Sequence, residues 1–223
     1  MSTKDFETPS KFFQPLKRRA SYAAKANGGS YAYRYFRKHF QNEIAVDCVC
    51  RCVYCDSHED EMGGREQMQI DHFRPYKRAG FEHLEDAPEN FHHACVRCNA
   101  LKSDKWPSTH PTAPHDGTVG FVDPFADDRR RYFKVADDGE LVSLRSPAHY
   151  LIRVLALNRR HLKLLRLRRF YLGLLEKYEA ENEPRWSAAA RNESISHQEL
   201  ATIALEFEEY RRLHRMASTG LKS

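Results

Sequence analysis

The sequence has no run of apolar residues approaching the roughly 18 needed to cross a bilayer. Its first twenty residues, with Lys4, Asp5, Glu7, Lys11 and Lys17, lack the apolar stretch of a secretion signal. No internal repeat and no low-complexity segment interrupts it. No Gly-x-x-x-x-Gly-Lys loop is present, so any use of ATP must come through another chain. Cysteine is absent outside residues 48–98, yet that stretch holds all six: Cys48, Cys50, Cys52, Cys55, Cys95 and Cys98. A disulfide scaffold would spread its bridges over a small secreted chain, whereas crowding in a cytosolic-looking one points to metal. Membrane and secreted classes are excluded on this reading, and a cytoplasmic protein is expected. At 223 residues the chain holds one domain with extensions or two small ones.

Net charge is low, +5, but it is unevenly distributed. Residues 1–40 carry nine basic and two acidic residues, a net +7. Asn27-Gly28-Gly29 separates a loop-rich, loosely ordered start from an expected helix over Ser30–Phe40. Residues 1–43 are therefore read as a basic N-terminal helical arm. From Ile44 to about residue 110 the pattern is short and irregular, with cysteine and histidine where a core would place leucine, as in a metal-organised module. Residues 111–146 form a linker and a β-hairpin, in which Arg131–Val135 and Glu140–Leu144 flank the turn signal Asp137-Asp138-Gly139. Residues 147–223 read as helical. Leu164, Leu167, Tyr171, Leu174, Leu175 and Tyr178 share one helix face, with Arg159, Lys163, Arg166 and Arg169 roughly opposite. Ser196-x-x-Glu199 is a capping box that opens a last helix to about Met216. The basic runs, including Arg129-Arg130-Arg131, are either a track for phosphates or solvated faces.

Cys52-x-x-Cys55 and Cys95-x-x-Cys98 are two knuckles 39 residues apart. Each delivers two thiolates to one side of an ion, and four together suit a tetrahedral Zn²⁺. Such a closed set leaves no open position, so this zinc is structural. Cys48 and Cys50 are left as packing residues. Between the knuckles lie Asp71-His72-Phe73-Arg74-Pro75 and Glu89-Asn90-Phe91, and Asn99 follows the last cysteine directly. Asp71 and Asn99 offer hard oxygens, which suit Mg²⁺ or Mn²⁺. His72 offers a base that titrates near neutrality. His92 and His93, close to the second knuckle, are read as packing or capping residues, with additional site residues as the alternative.

Cys-x-x-Cys, Asp-His-x-x-Pro, Asn, then Cys-x-x-Cys-Asn-x-x-Lys is similar to the signature of the HNH endonucleases in its Asn-ending variant, over about Cys52 to Trp106. The resemblance implies an α+β fold built on a small zinc-stabilised ββα-metal core. It implies that His72 is the general base acting on water, that Asp71 and Asn99 hold one Mg²⁺ or Mn²⁺, and that Asn90 orients His72 by accepting its second ring proton. It also implies that Lys102, and Arg74 beside it, meet substrate phosphates. Phe121-Val122-Asp123-Pro124, the hairpin and Leu155-Ala156-Leu157-Asn158-Arg159 resemble the PtuB-like HNH subunits of retron-associated and Septu-type anti-phage systems. That likeness implies a PtuA-like ABC-type ATPase partner, a possible dimer within a larger complex, and DNA, or tRNA and other RNA, as substrate. The alternative is a zinc-knuckle module that binds nucleic acid or docks a partner without cutting.

Overall fold

The computed structural model describes residues 12–20, 22, 41–191 and 195–219. The helix expected over Ser30–Phe40 lies outside them. The chain divides into two compact units, one of residues 10–136 and 141–159, the other chiefly of 137–140 and 160–223. Among the described residues no helix is long and apolar enough to cross a membrane.

The first unit opens with a helix, α1 (Gln41–Asp47), and the first knuckle. An antiparallel pair follows, β1 (Met68–His72) and β2 (Phe91–Cys95), in the register Met68 with Cys95, Asp71 with His92 and His72 with Phe91. Helix α2 (Val96–Lys102) leaves β2 without a loop, because the Cys95 side chain caps it by accepting from the Cys98 amide at 3.4 Å. This is the expected ββα arrangement. Every residue of β2 is buried, covered on both faces, which explains a strand with no polar alternation. The expected hairpin is also present, shorter than the pattern suggested: β3 (Phe133–Val135) pairs with β4 (Leu141–Ser143), and Asn158 closes on Leu141 through both its amide nitrogen and its carbonyl oxygen. Helix α3 (Ala148–Val154) completes the unit.

Residues 12–20, the described part of the start expected to be loosely ordered, pack onto the first unit. Phe12, Phe13 and Leu16 are buried, and Phe13 stacks on Phe133 at 5.3 Å. Arg18 and Arg19 turn inward, while Lys17 is exposed. Arg18 donates to the carbonyls of Phe91 (3.1 Å) and Pro88 (3.2 Å), with its guanidinium 3.9 Å above the Phe125 ring. Arg19 is paired with Asp47 and Glu43 on α1. Arg129 is only 3 % exposed and donates to the carbonyls of Val53 and Gln14. A guanidinium carries five donors, so backbone carbonyls at chain crossings are its natural buried partners. These arginines therefore hold the fold together and do not form a phosphate track. Arg130 and Arg131 remain at the surface.

The second unit is a helical pair, α4 (Arg160–Arg191) and α5 (His197–Thr219). Leu167, Tyr171 and Leu175 of α4 pack with Leu213, Met216 and Ala217 of α5, as the 3.6-residue spacing required. The Ser196 half of the capping box is formed: the Glu199 amide donates to the Ser196 hydroxyl oxygen at 3.2 Å, while the Glu199 carboxylate accepts from that hydroxyl at 3.1 Å and not from the Ser196 amide. The basic face of α4 is not solvated throughout. Arg166 is 3 % exposed and donates to the Gly139 carbonyl at 3.0 Å, and Arg169 is buried as well. Gly139, at φ +79°, tolerates no side chain, since a Cβ there would lie 2.3 Å from the Lys163 carbonyl oxygen.

His92 is buried in β2 between Phe73 (4.6 Å) and Phe125 (5.2 Å), and its Nδ1 has no hydrogen-bond partner among the described residues. Burial holds its pKa well below the ordinary value, and the charges of Arg18, Lys102 and Arg129 add to the effect. The unfolded chain takes up this proton below about pH 6.5 while the folded one refuses it, so stability falls as the solution is acidified. The loss reaches up to about 1.4 kcal/mol per pH unit below that point. Urea melts of His92→Phe and of the parent, compared at pH 7 and pH 5, should show a shallower acid loss in the variant.

Candidate active site and metal centre

Cys52, Cys55, Cys95 and Cys98 are all buried, and their sulfurs lie within 4.8 Å of one another, with Cys55 and Cys95 at 4.0 Å. Sulfurs at the corners of a tetrahedron with 2.3 Å zinc bonds are about 3.8 Å apart, so the cluster needs little contraction to close on the ion. The first knuckle is turned by the Asp56 amide donating to the Cys52 carbonyl (2.8 Å) and by Asp56 itself at φ +63°. Sulfhydryl bonds from Cys52, Cys55 and Cys98 pull Cys95 toward the thiolate that a metal requires. One Arg159 guanidinium nitrogen lies 3.8 Å from the Cys98 sulfur, while another donates to the Leu155 carbonyl at 2.8 Å. Cys48 and Cys50 stand outside the cluster; burial pushes the Cys48 thiol up to about 12, which leaves it an inert packing group.

The knuckles set what faces β1. Asp71 is 4 % exposed and points to the side covered by α2. Its Oδ1 accepts from the Lys102 ammonium at 3.0 Å, and its Oδ2 accepts from the hydroxyl of Tyr54, which sits inside the first knuckle. Burial pushes the Asp71 carboxyl up, against the opposing pull of Lys102 and Tyr54. Asn99, on the first turn of α2, donates from Nδ2 to Gln69 Oε1 at 2.7 Å. That bond uses the nitrogen of the amide. Its carbonyl oxygen, the atom a hard cation prefers, receives no donor among the described residues. Asp71 and Asn99 thus stand on facing surfaces of β1 and α2 with hard oxygens, and the carboxylate already attracts a cation. The donor set fits a divalent ion of the Mg²⁺ or Mn²⁺ type.

His72, at the end of β1, turns to the other side of the strand. Its Nε2 lies 2.8 Å from the Glu85 carbonyl oxygen, and its ring packs on Tyr76 (4.5 Å) and edge-on to Phe91 (5.1 Å). Burial lowers its pKa below the ordinary 6.5, although the Glu85 carbonyl and Asp71 oppose the shift. With the Nε2 proton donated to Glu85, the basic lone pair belongs to Nδ1.

Two expectations need correction. Asn90 does not accept the second ring proton of His72. Its Oδ1 takes the Arg74 amide at 2.8 Å, and its Nδ2 donates to the carbonyls of Arg74 (2.9 Å) and Leu84 (3.3 Å). Asn90 therefore clasps the 73–90 loop at both ends, and the carbonyl presented to His72 is the one next to Leu84. Lys102 does not reach a phosphate either. Its exposure is 0 %, and its ammonium is shared between Asp71 and the His72 carbonyl, the latter at 2.7 Å. Arg74 is half-buried and donates to the Thr112 carbonyl at 3.2 Å at the surface.

Tyr54, Gln69 and the Glu85 carbonyl were missed in the sequence. Gln69 had a signal, since it lies two residues before Asp71 and so shares its face of β1. Tyr54 had a weaker one in its place between two cysteines. A backbone carbonyl has none.

This hairpin, helix and cysteine set is bounded closely by one family. Residues 52–105 match the HNH endonuclease family model. No curated protein and no solved structure matches the chain. The match is confined to the HNH core and does not reach the flanking stretches on which the likeness to anti-phage subunits rests.

The purified protein should carry one zinc per chain by elemental analysis. Zinc sites of this kind supply on the order of 10 kcal/mol of folding free energy, so Cys98→Ser should lose both the metal and the cooperative unfolding of the first unit. Retention of a cooperative melt without zinc would show that the apolar core suffices.

Proposed function

We propose that the HNH domain hydrolyses phosphodiester bonds in nucleic acid, with His72 as the general base. The observation that carries this is the imidazole itself: held neutral by burial, fixed through Nε2 on the Glu85 carbonyl, and adjacent in the chain to Asp71. His72 Nδ1 takes a proton from water as the water oxygen bonds to phosphorus; the bond from phosphorus to the leaving sugar oxygen breaks, and that oxygen takes a proton from solvent to leave as a hydroxyl. A divalent ion held by Asp71 and Asn99 supplies charge stabilisation for the phosphate when bound. Asn90 keeps the loop that presents Glu85, and Gln69 keeps the Asn99 carbonyl turned away from itself. Tyr54 holds the second Asp71 oxygen.

DNA is the favoured substrate of this reading and RNA, tRNA included, the other. A role as nuclease effector in anti-phage defence, beside an ABC-type ATPase, is supported by the flanking sequence resemblance alone and enters no step above.

Supercoiled plasmid and tRNA incubated with Mg²⁺, Mn²⁺ or EDTA test the activity. Cleavage should require the divalent ion and fall roughly 10²–10⁴-fold in His72→Ala. Equal cleavage by that variant would remove His72 from the mechanism. Because the base must be neutral, the rate of the parent should drop on acidification, with the midpoint of that limb below 6.5. A midpoint above 6.5 would mean that some other group takes the proton.

A further inference from the structure

Lys102 is the last residue of α2 and has no exposed surface, which is rare for lysine. Its ammonium is held by two acceptors, Asp71 Oδ1 at 3.0 Å and the His72 carbonyl at 2.7 Å, with the Phe121 ring centroid 5.9 Å away. The carboxylate that would hold the divalent ion thus already has a cation at bonding distance, in a site where little water remains to screen it. A second positive charge brought to the same carboxylate meets the first at short range, and in a buried site that repulsion is strong. A substrate phosphate that ligates the divalent ion from its open side offsets that repulsion by adding negative charge to the ion, without touching the sealed ammonium.

We propose that Lys102 is a positioning residue that neutralises Asp71 in the free protein, so that a divalent ion binds strongly only together with a phosphate of the nucleic-acid substrate. The inference rests on the reading of Asp71 and Asn99 as the ligands of that ion. It makes the metal and the substrate enter as a coupled pair. The protein without nucleic acid then holds little Mg²⁺ or Mn²⁺, and an empty site does not hydrolyse phosphoesters in passing. The second acceptor of Lys102 is a main-chain carbonyl, so its position does not depend on the His72 side chain.

The test is Mn²⁺ uptake by the full-length, zinc-loaded protein, followed by loss of the free-ion paramagnetic resonance signal. The site-specific portion is defined as that abolished by Asn99→Ala. His72→Ala serves as background where DNA is added, to prevent cleavage. Without nucleic acid, Lys102→Gln and Lys102→Met should bind Mn²⁺ at least about tenfold more tightly than the parent, because the competing charge is gone. Glutamine retains a donor for one of the two acceptors and guards against a folding failure in the methionine variant. A short DNA duplex should tighten binding by the parent more than by either variant. Equal affinity in the parent and Lys102→Gln overturns the proposal. So does parent binding on the order of 10 μM or tighter without DNA, a result that needs no variant to fold. If neither the parent nor the variants show site-specific uptake, with DNA or without, the reading of Asp71 and Asn99 as ligands fails and takes the proposal with it.

Discussion

Four thiols gathered within 4.8 Å determine where the rest of the first unit stands. Strand β2 reads Phe-His-His-Ala-Cys and supplies little aliphatic packing to press a helix against a hairpin. A metal joining Cys52 and Cys55 to Cys95 and Cys98 would supply that force at one point, the corner where β2 becomes α2. The groups around Asp71 depend on it. Tyr54 lies between the first two cysteines, Asn99 follows Cys98 directly, and Lys102 is one turn further along the same helix. An ion held by the four sulfurs would therefore arrange residues it never touches.

The two faces of β1 divide the chemistry. Asp71 turns toward α2 into a site filled by polar groups and a buried ammonium, whereas His72 turns toward the 73–90 loop and its aromatic rings. Adjacent residues on a strand point to opposite sides, so one Asp-His pair places the carboxylate beneath the helix and the imidazole beside the loop. The loop is itself held by Asn90, whose side chain acts as a backbone mimic by bonding to both polar groups of Arg74. The acceptor for His72 follows from that clasp and not from any side chain.

Several cations serve the fold and not the surface. Arg18, Arg129 and Arg166 each end on main-chain carbonyls, and Lys102 on a carboxylate and a carbonyl. Chain crossings leave carbonyls with spare lone pairs, and a guanidinium satisfies several at once while its plane lies on a ring, as Arg18 does on Phe125. The basic excess of residues 1–40 thus overstates how much positive surface the described part of that segment offers. A positive run in a sequence marks only how many charges are present, and the path of the backbone decides which of them face water.

Spacing along the chain determined much of this protein. The two Cys-x-x-Cys pairs, Asp71-His72 and Asn99 were legible because each sits at a fixed short distance from a neighbour it must act with. The stripe Leu167, Tyr171 and Leu175 was legible because a helix face repeats every 3.6 residues. The Asp-Gly hairpin and the Ser196 capping box were legible because turns and caps are local chemistry. Contacts between distant segments were decided only by the tertiary structure. The Glu85 carbonyl carries no side-chain identity to read, Asn90 had several acceptors and donors within reach, and Lys102 looks the same in sequence whether it meets a phosphate or is sealed against Asp71. Those choices depend on which surfaces the folded chain brings within 3 Å, and hydrogen bonds are too short-ranged for spacing alone to select them.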